Sequence, residues 1–335
     1  MKRFAEHRRK FLSSLVALAA GLGLGGCGGS VEPSGDQASE QSALVGHPIA
    51  DTHIHIFQPS RPGGIPWPPV GHPLYRDTLP PEYQALATPL GITSSGIVEA
   101  SPLNSDTQWL LDQINGNDFF PFYVAQLEVG SADFVTNLAE IAKDARVVGI
   151  RGFLWSPTLT LDAKQVSDLK ELARQGMSLD IISRGTTNPK PMVIALADAV
   201  PNLRIIIDHL AGAKTATPDP QWVIDMGKLA ARPNVYIKMS AFFDMFNASG
   251  DESAPWTAPK DVESYRAHLD VLMNAFGSKR LIWGSNWPVC TLAGTVGEEI
   301  AIAEGYLSGF SKEVRDQVMF KNAKSFYHRH NGISD

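Results

Sequence analysis

From residue 48 onward the chain alternates short runs rich in Val, Ile and aromatic residues with longer stretches of helical period. The β-rich runs are "IADTHIHIF", "GITSSGIVEA", "PFYVAQLEV", "RVVGIRGFL", "GMSLDIIS", "LRIIIDHLA", "NVYIKMSAF" and "RLIWGSNW". Between them lie helical stretches such as "DAKQVSDLKELARQ", "DPQWVIDMGKLAAR" and "KDVESYRAHLDVLMNAFG". "ADAVPNLRIII" and "LAARPNVYIKM" both read as helix, Pro-Asn turn, strand, the way a repeating βα unit reads. Strands separated by helices over roughly 280 residues predict an α/β chain folded as a (β/α)8 TIM barrel, one domain over 48–335, rather than a doubly wound sheet. No GxGxxG opens a helix after a strand, and no phosphate loop occurs.

A hydrophobic share of 44% supplies a large core, which the two cysteines, Cys27 and Cys290, cannot replace with a disulfide framework. The net charge of −6 and the scattered basic residues leave no footprint for nucleic acid. The expected partners are a small-molecule substrate and, through the N-terminus, a membrane. Residues 1–27 combine the basic "MKRFAEHRRK", a short glycine-softened apolar run and "LGGC". "HRRKFL" resembles a twin-arginine export signal, and "LGGC" resembles a bacterial lipobox that would make Cys27 the lipidated first residue; a plain cleaved signal with an incidental Cys27 is the alternative. Residues 28–47 read as a flexible polar tether. The expectation is an exported, membrane-anchored lipoprotein, periplasmic or on the cell surface.

In a barrel of this kind the active site gathers at the C-terminal ends of the strands. Residues i and i+2 of a strand share a face, so His53 and His55 project together with Cα atoms ~6.6 Å apart. Glu99 ends the second strand, Gln126 and Glu128 the third and Arg151 the fourth. Asp180 interrupts the apolar "MSLDIIS", Asp208 and His209 end the sixth, Lys238 lies in the seventh and Asn286 follows the eighth. Each taken singly suits a cap or loop, the reading preferred for Glu128 and Asp208; together they furnish one rim. Trp67 and Trp155 are candidate pocket walls. Arg184, Lys214 and Lys238 are candidates for a substrate carboxylate. Cys290 reads as packing, because no activating helix terminus adjoins it.

"DTHIHIF", "VVGIRGF", "IIIDHLAG", "NVYIKMSAF" and "IWGSNWPVC" together resemble the amidohydrolase-related family, in particular its branch of sugar lactonases and 2-pyrone-4,6-dicarboxylate lactonase. The resemblance spans about residues 48 to 330 and implies a TIM barrel that hydrolyses a cyclic ester. It implies His53 and His55 as the first-strand pair, His209 as the histidine of the sixth-strand motif and Arg151 as the arginine after the fourth. Where the family reads "GSDWP" this chain has Asn286, an amide that cannot accept a proton as a carboxylate does.

His53, His55 and His209 would suit zinc. Arg151 aimed at the same pocket opposes a cation, and the lactonase branch implies no required metal; no cofactor is therefore expected, with one zinc ion as the alternative. For a lactone, the histidines and Arg151 would stabilise the oxyanion. Asp180 is the first choice of base, ahead of a histidine or Glu99, and an equal alternative makes it a structural partner of Arg151 or Lys238. The expected function is lactone hydrolysis; the competing one is a ligand-binding or scaffolding lipoprotein whose chemistry lapsed with Asn286.

Overall fold

Eight parallel strands, β1 (Ile49–Ile54), β2 (Ile92–Val98), β3 (Phe122–Gln126), β4 (Val147–Arg151), β5 (Ser178–Ile181), β6 (Arg204–Ile207), β7 (Val235–Met239) and β8 (Leu281–Trp283), pair in sequence order. A computed structural model describes residues 47–152, 161–183, 188–247, 250 and 252–329. Helices α1 (Pro80–Ala87), α2 (Asp106–Gln113), α3 (Phe134–Ile141), α4 (Ala163–Arg174), α5 (Lys190–Ala199), α6 (Pro220–Ala230), α7 (Glu263–Phe276) and α8 (Val296–Leu307) each follow the strand of the same number. This is the (β/α)8 barrel that the alternation predicts. The strands read as near-continuous apolar runs because helices cover one face and the barrel interior the other.

Helix starts are written locally. Asp162 accepts from the Gln165 amide while the Gln165 side chain accepts from the Asp162 amide, and Thr295 and Glu298 form the same reciprocal box at α8. Asp219 accepts from the Gln221 and Trp222 amides ahead of Pro220, which opens α6 where no donor is needed.

The barrel closes between its first and last strands beyond the end of β8. Ile54 bridges Trp287, the His55 amide donates to the Trp287 carbonyl at 2.7 Å, and the Asn286 amide donates to the His53 carbonyl at 2.8 Å. Asp51 fastens this seam: its carboxylate accepts from the His53 and Ser285 amides and from the Tyr83 hydroxyl of α1. Gly284 is required here, because a Cβ on it would lie 2.9 Å from the His53 Cβ.

The helical segments Lys312–Asp316 and Asn322–Phe326, joined by a wider turn over Gln317–Lys321, brace β8 through Asn322, which donates to the Ser278 and Leu281 carbonyls. Tyr327 follows them inward, stacks on Phe122 with ring centroids 4.5 Å apart, and donates to Asp180 Oδ2 at 2.7 Å. Among the described residues no helix is long and apolar enough to cross a membrane.

Candidate active site

The two β1 histidines meet as their spacing requires. Their Nε2 atoms are 3.3 Å apart and both rings are buried. His55 Nδ1 lies 3.0 Å from the Val98 carbonyl, which only accepts, so this nitrogen carries the proton and His55 Nε2 is bare. His53 is therefore the donor between them, and its Nδ1 is the acceptor of a hydrogen bond from Lys238 Nζ at 3.1 Å. Burial holds both rings well below the ordinary histidine range, helped by the charge of Lys238 at His53 and of Arg151 at His55. Both are neutral near pH 7.

Behind them lies a buried charge cluster. Lys238, fully buried in β7, donates to Asp180 Oδ2 at 2.8 Å and is ion-paired with Asp208 Oδ1 at 2.9 Å. Burial would raise the Asp208 carboxyl, but the Lys238 charge outweighs it and holds it well below the usual range. For Asp180 burial wins, with the Asp208 charge adding to it, and its carboxyl is raised despite Lys238. Adjacent pairing of β4 and β5 sets Arg151 beside Asp180 in register, yet the arginine turns to β2. Its Nε donates to Glu99 Oε1 at 2.7 Å and its Nη2 to the Glu99 carbonyl at 2.7 Å. Nη1 is buried, makes no hydrogen bond, and stands 3.8 Å from Asp208 Oδ2.

His209 stands on an unusual turn. His209, Leu210, Ala211 and Gly212 all have φ between 51° and 69°, one left-handed turn, although only the last is glycine. Each non-glycine residue in that conformation costs roughly 1–2 kcal/mol. The buried Leu210 and Ala211 side chains repay it in the core, and Ser240 holds His209 Nδ1 at 2.9 Å. Asn286 also has a positive φ, 61°, which asparagine tolerates better than most residues, and its Oδ1 makes no hydrogen bond.

A cleft of about 820 Å³, counting its open mouth, is lined by His55, Arg151, His209, Asn286 and Trp67, with Lys214, Asp244 and Asn247 farther round. The Trp67 ring meets His55 edge-on at 5.9 Å. His53, Asp180, Asp208 and Lys238 do not line this cleft; they form the layer behind it. Lys238, a candidate for substrate binding, is thus spent on internal partners, and Asp180, the first choice of base, is held by Lys238 and Tyr327. Glu128 is exposed, Gln126 is buried, and Cys290 is packed in the core with burial pushing its thiol up. Trp155, Arg184 and Cys27 lie outside the described residues. Reasoning from the sequence missed Asp51, Ser240 and Tyr327, and it assigned Asp208 a loop role; a carboxylate directly before a motif histidine was the available signal for Asp208.

The donors for a metal are present. Ligand atoms of His53, Asp208 and His209 lie within 4.8 Å of one another, so Asp208 stands where the sequence placed His55 in the trio. The Nε2 separation of the β1 pair also matches two ligands ~2.0–2.1 Å from a tetrahedral ion. Their protonation does not fit: with Nδ1 taken by Lys238, His53 Nε2 carries a proton. Asp208 already faces one ammonium and one guanidinium.

Residues 50–329 match a family model described as amidohydrolase. The chain is 31% identical over 287 residues to an L-fucono-1,5-lactonase of Burkholderia ambifaria, covering 83% of this chain and 94% of that one. A crystal structure of an amidohydrolase from Burkholderia multivorans with bound zinc superposes with a TM-score of 0.73 at 23% identity, covering 83% of this chain and 98% of that one. A putative 2-pyrone-4,6-dicarboxylic acid hydrolase from Pseudomonas putida gives 0.64 at 22% identity, covering 83% and 97%.

Proposed function

The chain belongs to the amidohydrolase family and is a lactonase-like hydrolase, and we propose that it opens a sugar lactone by adding water at a carbonyl held against Arg151. The observation that carries this is the state of Arg151, which lines the cleft: Glu99 takes Nε and Nη2, so the guanidinium is fixed, and Nη1 makes no hydrogen bond. A fixed cation where negative charge develops is the largest single contribution in most acyl transfers.

The base falls to His209. In this reading His209 Nδ1, 2.9 Å from Ser240 Oγ, carries the proton and Nε2 is the basic nitrogen; His209 is the least buried of the three histidines. Water oxygen bonds to the carbonyl carbon as His209 takes a proton, and the carbonyl oxygen becomes the oxyanion facing Arg151. Collapse breaks the ring C–O bond, and the leaving alkoxide takes the proton back from His209, releasing a hydroxy acid. Asn286 holds the water by its amide. Trp67 offers a ring face, and Asp244, Asn247 and Lys214 offer polar groups for hydroxyls. No metal or other cofactor takes part in this reading; zinc is the alternative, supported by the zinc in the Burkholderia multivorans relative.

A second reading, a ligand-binding barrel without turnover, is favoured by Asn286 alone. Purified protein assayed on a panel of sugar lactones and aromatic-derived lactones, with and without chelator, separates the two. Turnover that Arg151→Met abolishes supports the hydrolase; binding without turnover on every lactone supports the other. We also propose that the protein is a membrane-anchored lipoprotein, periplasmic or on the cell surface, exported through the twin-arginine-like signal and anchored at a lipidated Cys27, on the strength of "HRRKFL", "LGGC" and the tether.

A further inference from the structure

A buried lysine between two aspartates usually balances charge and no more. Lys238 has a third partner. An ammonium has three donors and no acceptor, and around Nζ stand Asp180 Oδ2 at 2.8 Å, Asp208 Oδ1 at 2.9 Å and His53 Nδ1 at 3.1 Å. The Tyr327 hydroxyl donates to the same Asp180 oxygen as Lys238, Oδ2, and the Tyr327 ring lies 5.3 Å from Nζ. The ammonium therefore has one place to sit.

We propose that Lys238 is the resident cation of this site: it fixes His53 as the tautomer protonated on Nε2, so that His53 donates to His55 and is barred from holding a divalent ion. Metal-ligating histidines use one nitrogen for the metal and give the other N–H to a carboxylate or carbonyl. Here Asp208 is positioned for that service, 3.5 Å from His53 Nδ1, but the lysine stands nearer and presents a donor instead. A chain of directed bonds results: Tyr327 to Asp180, Lys238 to Asp180 and to His53, His53 to His55, and His55 to the Val98 carbonyl. Lys238 is a positioning residue, acting on the cleft only through the two histidines. The inference concerns the free protein and holds whether or not a lactone is the substrate.

Two measurements on the full-length protein test it. The first needs no variant: 15N spectra of histidine-labelled protein, with His53 assigned by its loss in His53→Asn, report which ring nitrogen is protonated. Protonated Nε2 with bare Nδ1 is expected, and a protonated Nδ1 overturns the proposal. The second is zinc binding by calorimetry and metal analysis. The Lys238→Met/Asp180→Asn pair removes one charge of each sign, keeping the cluster balanced where Lys238→Met alone would leave two buried carboxylates. Groups that hydrogen-bond to a metal-ligating side chain change metal affinity by about 10–100-fold, so this variant should bind zinc at least ~10-fold more tightly than the parent. Equal affinity, or a parent that already binds zinc as tightly, refutes the exclusion.

Discussion

Glu99 holds Arg151 twice, through its carboxylate at Nε and through its backbone carbonyl at Nη2, both at 2.7 Å. One residue at the end of β2 thus sets both the position and the rotation of the guanidinium from β4. Lysine carries the charge but cannot reproduce a fork held at two points. Arg151→Lys should lower kcat by about 10²–10³, the usual cost of losing one oxyanion donor, and Glu99→Gln should fall between it and the parent. Steady-state kinetics on the best lactone of the panel decide this; an unchanged kcat in Arg151→Lys removes Arg151 from the chemistry.

With His209 as base, His209→Gln should cost about 10²–10⁴ in kcat. Asn286→Asp should change the parent by less than ~10-fold, because a base is already in place, yet recover much of the loss in the His209→Gln background. A gain of two or more orders from Asn286→Asp alone would mean that the parent has no working base and is a weakened hydrolase.

The stability that His53 and His55 contribute should fall as the solution is acidified below pH 6.5. His53 and His55 are held well below the ordinary 6.5 when folded, so the unfolded chain binds more protons through that window. Each such group contributes about 1.4 kcal/mol per pH unit, fully present above 6.5 and lost as pH falls toward the lowered folded value. The raised carboxyls of Asp51, Glu99, Asp180 and Glu299 act with the opposite sign, so the histidine contribution is read as a difference between parent and variant. Melting curves at pH 7 and pH 5 should show acidification lowering Tm more, or raising it less, in the parent than in His53→Asn. The same Tm change in both would contradict a buried neutral His53.

Tyr327→Phe leaves a buried carboxylate short of one donor. A loss of about 1–3 kcal/mol is expected by denaturant titration, with the β1 histidine tautomers and KM unchanged so long as Lys238 keeps its place. A stability equal to the parent's would show that Asp180 does not depend on the C-terminal segment.

Cys27→Ser should move the protein from the membrane fraction to the soluble one when it is expressed with its own signal. If the variant sediments with membranes as fully as the parent, the lipobox reading is wrong.

The strands were legible because a parallel barrel buries both faces of each, which writes "RIII" and "VYIKM" as short apolar runs. His53 and His55 were legible because a period of two is a local property. The division of labour among the charged residues was not. Asp180 and Asp208 both look like buried carboxylates in the sequence, and only the third dimension gives Lys238 to both and leaves neither in the cleft. Tyr327 carried no signal, since nothing within the final helical segment indicates that the next residue enters the barrel. Asn286 was visible as a departure, while the left-handed turn that carries His209 was not, because Leu210 and Ala211 are poor indicators of a positive φ.

The seam between β1 and the residues after β8 sets an order of events during biosynthesis. His53 and His55 leave the ribosome ahead of the other seven strands, but the carbonyl and amide bonds that seat them come from Asn286 and Trp287, and a bond to Asp180 comes from Tyr327. A nascent chain that has completed seven strands holds every histidine of the site and still has no site. The pocket is therefore a checkpoint on completion of the barrel: a product cut short before Asn286 and Trp287 carries every histidine of the site and lacks the bonds that seat His53 and His55.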